Sequence, residues 1–416
     1  MNTIKISVMG DIMCEQPLLE AARKEGGGYD FSEVFSGLKS FCSQSDYVIA
    51  NLETPFAGKA AGYTREMYSF NTPDSFADAV KAAGIDLVLT ANNHCCDRGI
   101  AGLERTLRIL DEKGIPHTGT FSGDGDNAVH YADVKGVRLA VISCTASTNA
   151  PRTKCEPTLD NVNLLDEQSS KSGKAGVSIA SRAKTAIVRH VIGEHNWIKI
   201  RIALGKDPKK PSIDNALNKE RVDVYLDRIG RYVQEAKREG AIVVVCPHMG
   251  GQFNVEPGVF SKYAMGYLAS SGADAVVASH PHIVQRVEFI GNVPCAYSVG
   301  NVSMSMCTPY ILKNDLPDYG LITNLYCSGD GVERVTFTLI KGVENHSGMI
   351  RARLVSDLLE EVGLDRRESI LRDSSAVVSR LTNREVLLRH VPEEIGVYVQ
   401  GGGISLEMEE YFGEDS

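Results

Sequence analysis

Five short apolar runs in this chain each lead into a residue able to bind a cation or move a proton. Asp11 closes the run 5–10, Glu53 follows 46–50, and Asn93 and His94 follow 86–90. His248 follows 241–246, and His280-Pro281-His282 follows 273–278. Ligands of open α/β sheets bind outside the carboxyl ends of the strands. This pattern therefore delivers two carboxylates, an amide oxygen and four imidazoles to one edge. So many polar groups in one crevice would repel or stay unsatisfied unless cations organised them. Mixed imidazole and carboxylate donors suit Zn, Mn or Fe, and two such ions ~3.5–4 Å apart form a hydrolytic clamp. Each element alone says little. A strand-end Asp is more often a turn former or helix cap, and His248 alone reads equally well as a satisfied structural histidine. The ordered set is what points to metal.

The elements that must position these groups follow a strand–helix rhythm. Strand patterns at 5–10, 46–50 and 86–90 alternate with helical ones at 15–25, 74–83 and 100–113. In the last of these, Leu103, Leu107 and Leu110 recur at helical spacing before Gly114. A β-rich run covers 134–144. The rhythm resumes with a helix at 221–238, a strand at 241–246, a helix at 260–270, a strand at 273–278 and a hairpin at 287–290 and 295–299. This is an α/β core. Between 150 and 219 the pattern fades into polar and basic residues, which predicts an insertion bordering or covering the site. The assignment is a main domain over 1–341, with a separate, mostly helical C-terminal extension over 342–416.

Composition removes several function classes. The chain has 416 residues with 44 Lys/Arg against 53 Asp/Glu, a net charge of −9 that argues against general nucleic-acid binding. The charge is uneven. Residues 150–219 hold 13 Lys/Arg against 7 Asp/Glu, whereas 342–416 hold 8 against 15. The basic stretch reads as a surface for an anionic partner or as an ordinary solvated segment. If it serves a partner, Arg182, Lys184 and Arg189 are expected at the entrance to the site. The N-terminus has no signal-peptide pattern, no run approaches transmembrane length, and the 10 cysteines are scattered. A cytoplasmic protein with reduced thiols and no membrane anchor is the expectation; oligomeric state is not legible.

The motifs MGDIM (9–13), ANLET (50–54), ANNHCCDRG (91–99), CPHMGG (246–251), SHPHIVQ (279–285) and YSVGN (297–301) resemble those of the CapA family of capsule and poly-γ-glutamate biosynthesis proteins. The resemblance covers about 4–303 and implies the calcineurin-like metallophosphatase fold, a two-sheet αββα sandwich. It further implies that Asp11, Glu53, Asn93, His248, His280 and His282 ligate metal, with His248 and His280 on one ion and His282 on the other. His94 would face the phosphoryl oxygens or leaving group, and Asp97 would hold His94 in its working tautomer. Asn51 stands nearest the usual bridging aspartate of that fold, but Glu53 carries the charge that two cations need. Met13 stands where the wider fold has histidine, which weakens one ion's site. Gln252 stands for the family's glutamate, and Met249 for its aromatic.

Asn51, Gln252, Tyr297 and Asn301 are expected to contact substrate, with a turn and a buried tyrosine as the equal alternative for the last two. Cys14, Cys95 and Cys96 lie beside the site, and packing is favoured over zinc ligation for them. The leading expectation is a metal-dependent hydrolase of phosphoesterase type, acting on an anionic small molecule or polymer through water activated by two divalent ions. An accessory role in assembling a polymer such as poly-γ-glutamate, and hydrolysis of a γ-glutamyl amide, are the alternatives.

Overall fold

The computed structural model describes residues 3–65, 68–123, 128–149, 157–168, 200, 204, 214–308, 311–400 and 403–406. β1 (Ile4–Ile12), β2 (Tyr47–Leu52), β3 (Leu87–Leu89) and β4 (His117–Thr118) pair in parallel, in that order. The connections between them carry α1 (Gln16–Ala21), α2 (Lys39–Ser43), α3 (Ser75–Ala82) and α4 (Gly99–Glu112). A second sheet holds β5 (His130–Val134), β6 (Val137–Thr145), β7 (Ile242–His248), β8 (Ala275–Val277), β9 (Val287–Ile290) and β10 (Val293–Ala296), in the order β5-β6-β7-β8-β10-β9. Its crossovers include α5 (Lys219–Arg238) and α6 (Val259–Ser270).

The chain then returns to the first sheet. β11 (Asn301–Ser303) lies on β1, and β12 (Tyr319–Ser328) and β13 (Gly331–Glu344) continue the sheet on the far side of β1. β14 (Ile350–Leu354) pairs with β13 and leads into α7 (Val355–Glu361) and α8 (Leu364–Thr382). β15 (Ile395–Gln400) and β16 (Gly403–Leu406) close that edge.

Strand alternation explains the layering. Ile4, Ile6 and Val8 of β1 face the other sheet and pack with Leu139, Val141 and Val244. Their neighbours Met9, Val48 and Ala50 point outward onto Leu18, Phe76 and Val80 of the helices. On the second sheet Ala140, Val243 and Val245 meet Leu226, Ile229 and Val233 of α5 and Leu268 of α6. Strands buried on both faces read as near-continuous apolar runs, as β7 does over 242–246. The architecture is the expected two-sheet αββα sandwich.

The residues beyond 341 do not fold apart. β13 runs through position 342, and β14 and β15 hydrogen-bond to it. Val377, Val378 and Leu381 of α8 are fully buried in the same cluster as β1 and β12. The helical half of that stretch was readable from its 3.6-residue spacing, but its strands are short. Leu381→Ala is expected to cost about 2–5 kcal/mol and to leave one cooperative unfolding transition in denaturant. A separate early transition for the C-terminal residues would contradict this shared core.

Candidate metal centre

A local irregularity sets the first carboxylate. The β1–β2 register shifts between Met9 and Asp11, and the β1–β11 register between Asp11 and Ile12. Met9 and Ile12 both face the helices, so the bulge turns Asp11 towards the second sheet, a familiar use of bulges beside active sites. Glu53 immediately follows β2, while Asn93 and His94 sit in the turn after β3. From the opposite sheet come His248, the last residue of β7, and His280 and His282 after β8. His280 and His282 adopt φ of 106° and 59°, conformations that cost of order 1–3 kcal/mol for a side-chain-bearing residue. The backbone N–H of His280 donates to Asp11 Oδ2 at 3.2 Å.

Glu53 is the focus. Its Oε1 lies 3.6 Å from His248 Nε2, 3.7 Å from His282 Nε2 and 3.8 Å from His94 Nε2. Among the described residues neither of its oxygens finds a hydrogen-bond donor, although the side chain is fully buried, and the Asp11 carboxyl stands close to it. His248 Nε2 is 2.8 Å from Asn93 Oδ1 and 3.1 Å from His280 Nδ1. Asp11 stands 3.3 Å from His282 Nδ1 and 3.8 Å from His248 Nδ1. Burial, followed by the Asp11 charge, pushes the Glu53 carboxyl well above its ordinary value. Burial drives His248 down to about 3, and burial among imidazoles holds His280 well below its usual range. Burial alone would raise Asp11, but the His282 hydrogen bond and the nearby His248 and His282 hold it below normal.

Among the described residues, two donor groups are compact enough to hold a cation: Glu53 with His280 and His282, and Asp11 with Glu53 and His248, each within 4.8 Å. This groups His280 with His282, where the resemblance had grouped it with His248. A buried carboxylate beside two imidazoles, His248 and His280, that burial keeps from charging fits a cation, which would take up the carboxylate and both rings together. Cys14, Cys95 and Cys96 belong to neither group and are buried in apolar clusters; burial raises the Cys14 thiol far beyond the thiolate range.

His94 is braced on both sides. Asp97 Oδ2 accepts from His94 Nδ1 and from the Phe70 N–H, each at 2.6 Å, and the Phe70 ring stacks on the imidazole with centroids 4.1 Å apart. Nε2 is thus the atom presented to Glu53. A cleft of about 130 Å³ opens here, lined by His94, His248, His280, His282, Tyr68 and Gln252 among others.

Three of the expected substrate contacts lie elsewhere. Asn51 is buried beneath the site and donates to Asp11 Oδ1 at 2.7 Å, with Asn92 Nδ2 bonded to its Oδ1 at 3.2 Å. Tyr297 packs under the second sheet and donates to Glu288 at 3.0 Å. Asn301 reaches His282 instead of the cleft. Sequence reasoning had passed over Phe70, Ser279, whose Oγ is 2.9 Å from His248 Nδ1, and Asn92. Ser279 and Asn92 stand inside the motifs; Phe70 carried no signal. Arg182, Lys184 and Arg189 lie outside the described residues, but the described flanks of that stretch reach the cleft through Asp166, Asp214 and Ala216.

The family model described as "Bacterial capsule synthesis protein PGA_cap" matches residues 5–305. The chain belongs to this family. The match takes in every residue of the cleft just described. Among curated proteins, the chain is 25% identical over 308 residues to the uncharacterized protein y4sH of Sinorhizobium fredii, covering 70% of this chain and 64% of that one. It is 24% identical over 306 residues to the capsule biosynthesis protein CapA of Bacillus anthracis, covering 72% and 59%. It is 22% identical over 303 residues to the PGA biosynthesis protein CapA of Bacillus subtilis, covering 72% and 63%. The matched region thus spans less than two thirds of these relatives. Among the described residues, no helix of this PGA_cap member is long and apolar enough to cross a membrane.

Proposed function

We propose that this PGA_cap member is a metal-dependent hydrolase that cleaves a phosphoester or related anionic bond. The observation that carries this reading is the Glu53 carboxylate, buried with no hydrogen-bond donor among the described residues and ringed by the Nε2 atoms of His94, His248 and His282. Asp11, Glu53, His248, His280 and His282 would hold a pair of divalent transition ions, Mn, Zn or Fe, with the Asn93 oxygen beside them. Bound there, the metal supplies Lewis acidity and lowers the pKa of water towards ~7.

The remaining work falls to the chain. Asp97 and Phe70 fix the His94 ring so that Nε2 faces the cleft, where it steadies the phosphoryl oxygens or gives a proton to the leaving group. Asn51 keeps Asp11 oriented. The basic stretch 150–219 would draw an anionic substrate towards the cleft that its flanks border. The names of two Bacillus relatives, a capsule and a PGA biosynthesis protein, favour a second reading, in which the chain assists polymer assembly without hydrolysis; cleavage of a γ-glutamyl amide is the third.

Elemental analysis of the purified protein, with assays on a p-nitrophenyl phosphodiester, a phosphomonoester and a γ-glutamyl anilide, tests the proposal. Transition metal with phosphoesterase turnover is expected. Turnover of the anilide alone would move the assignment to the amide, full metal occupancy without turnover to the accessory role, and absence of metal would sink all the catalytic readings.

A further inference from the structure

We infer that Asn301 is a positioning residue that sets the tautomer of His282, so that Nε2 is the atom offered to a cation. The inference deepens the metal-centre reading above and rests on it for its purpose, though not for its geometry.

The Asn301 amide has only one workable orientation. Its Nδ2 lies 2.7 Å from the His282 carbonyl oxygen and 2.8 Å from that of Pro317, and both of those groups can only accept. Oδ1 is therefore the atom 3.0 Å from His282 Nδ1. An amide oxygen cannot donate, so Nδ1 must carry the ring hydrogen and Nε2 the lone pair. That lone pair faces Glu53 Oε1 across 3.7 Å.

A competing arrangement exists. With the hydrogen on Nε2, His282 would point an N–H towards Glu53 across 3.7 Å and carry its lone pair on Nδ1, away from that carboxylate. Asp11 Oδ2 also stands near Nδ1, but at 3.3 Å, and it already accepts from the His280 N–H. Asp11 thus favours the same Nδ1–H form, and Asn301 is the nearer of the two acceptors.

The backbone around Asn301 shows how it reaches this place. A Cβ on Gly10 would meet Gly300 O at 1.9 Å, and one on Gly320 would meet Asn301 O at 2.2 Å. Gly300 itself has φ 68° and bridges to Gly320. The three glycines let β11 lie close between β1 and β12, with Asn301 opposite Asp11 in register.

Metal-supporting partners of this kind typically contribute 10–100-fold to affinity. Long-range ¹H–¹⁵N spectra of the histidine rings in chelator-treated protein should show His282 protonated on Nδ1. Asn301→Ala should move it towards the Nε2–H form and weaken Zn binding, measured by competition with a chromophoric chelator, by about 10–100-fold. Asn301→Asp, which keeps an acceptor before Nδ1, should retain the Nδ1–H form. An Nε2–H signal from His282 in the parent would overturn the inference even if no variant folded, as would an unmoved tautomer and unchanged Zn affinity in folded Asn301→Ala. A parent that binds no Zn would defeat the metal-centre reading and leave the tautomer result to stand alone.

Discussion

Glu53→Gln is expected to abolish hydrolysis and metal retention together, with turnover falling about a thousandfold, equivalent to about 4 kcal/mol. The substitution conserves shape and removes only the charge at the meeting point of His94, His248 and His282. Its effect on stability should reverse with metal content. In the loaded protein, Glu53 binds the cation and the variant melts lower. In chelated protein the parent holds a buried carboxyl whose pKa burial and Asp11 raise well above the ordinary value. A raised folded pKa contributes stability below the unfolded value of about 4.5, which is lost as pH rises through the folded value. At alkaline pH the metal-free parent has therefore lost that contribution, and the neutral variant carries no such loss. Thermal melts at pH 8 with and without chelator should cross: parent above variant when loaded, variant level with or above parent when stripped. A variant that is less stable in both states would mean that Glu53 is held by the fold and not by a cation.

How much of this was legible beforehand depended on whether side-chain type or side-chain direction decided the matter. The strand ends were readable because apolar runs end where the backbone leaves the sheet. Asp11, Glu53, Asn93, His94, His248, His280 and His282 were thus singled out by position alone. Direction was not readable. The bulge at Asp11 leaves no compositional trace, and Asn51, Tyr297 and Asn301 have the same chemistry whether they face substrate or the protein interior. The structure gives all three to interior partners. At the C-terminus the spacing of Val377, Val378 and Leu381 marked a helix correctly. Only long-range pairing of β14 and β15 with β13 made that stretch part of the main sheet, and short strands reveal no partners in sequence.

The metal-free protein should gain stability steadily as pH rises from about 3 to 6.5, and the slope of that gain should depend on Glu53. His248 is pushed down to about 3 by burial, and His280 is also held well below its ordinary 6.5. As the pH falls below 6.5 the unfolded chain takes up protons at both rings more readily than the folded chain does. Each such proton makes stability climb by about 1.4 kcal/mol per pH unit, and the whole contribution is present above 6.5 and lost on acidification. For His248 alone the window is worth roughly 5 kcal/mol. Above pH 4.5, Glu53 acts in the opposite sense, since it keeps a proton in the folded state that the unfolded state has released. The carboxyl therefore offsets part of the climb that the two imidazoles produce. The climb should be steeper in Glu53→Gln and shallower in His248→Asn. Asp11 does not disturb this comparison, because its lowered pKa places its contribution below about 3.8. Denaturant unfolding in excess chelator at half-unit pH steps reads these slopes directly. Differences from the parent cancel every titrating group remote from the centre. Parallel pH profiles for parent and Glu53→Gln would show that the carboxyl does not hold a proton in the folded protein, and the buried-charge account of the centre would have to be abandoned.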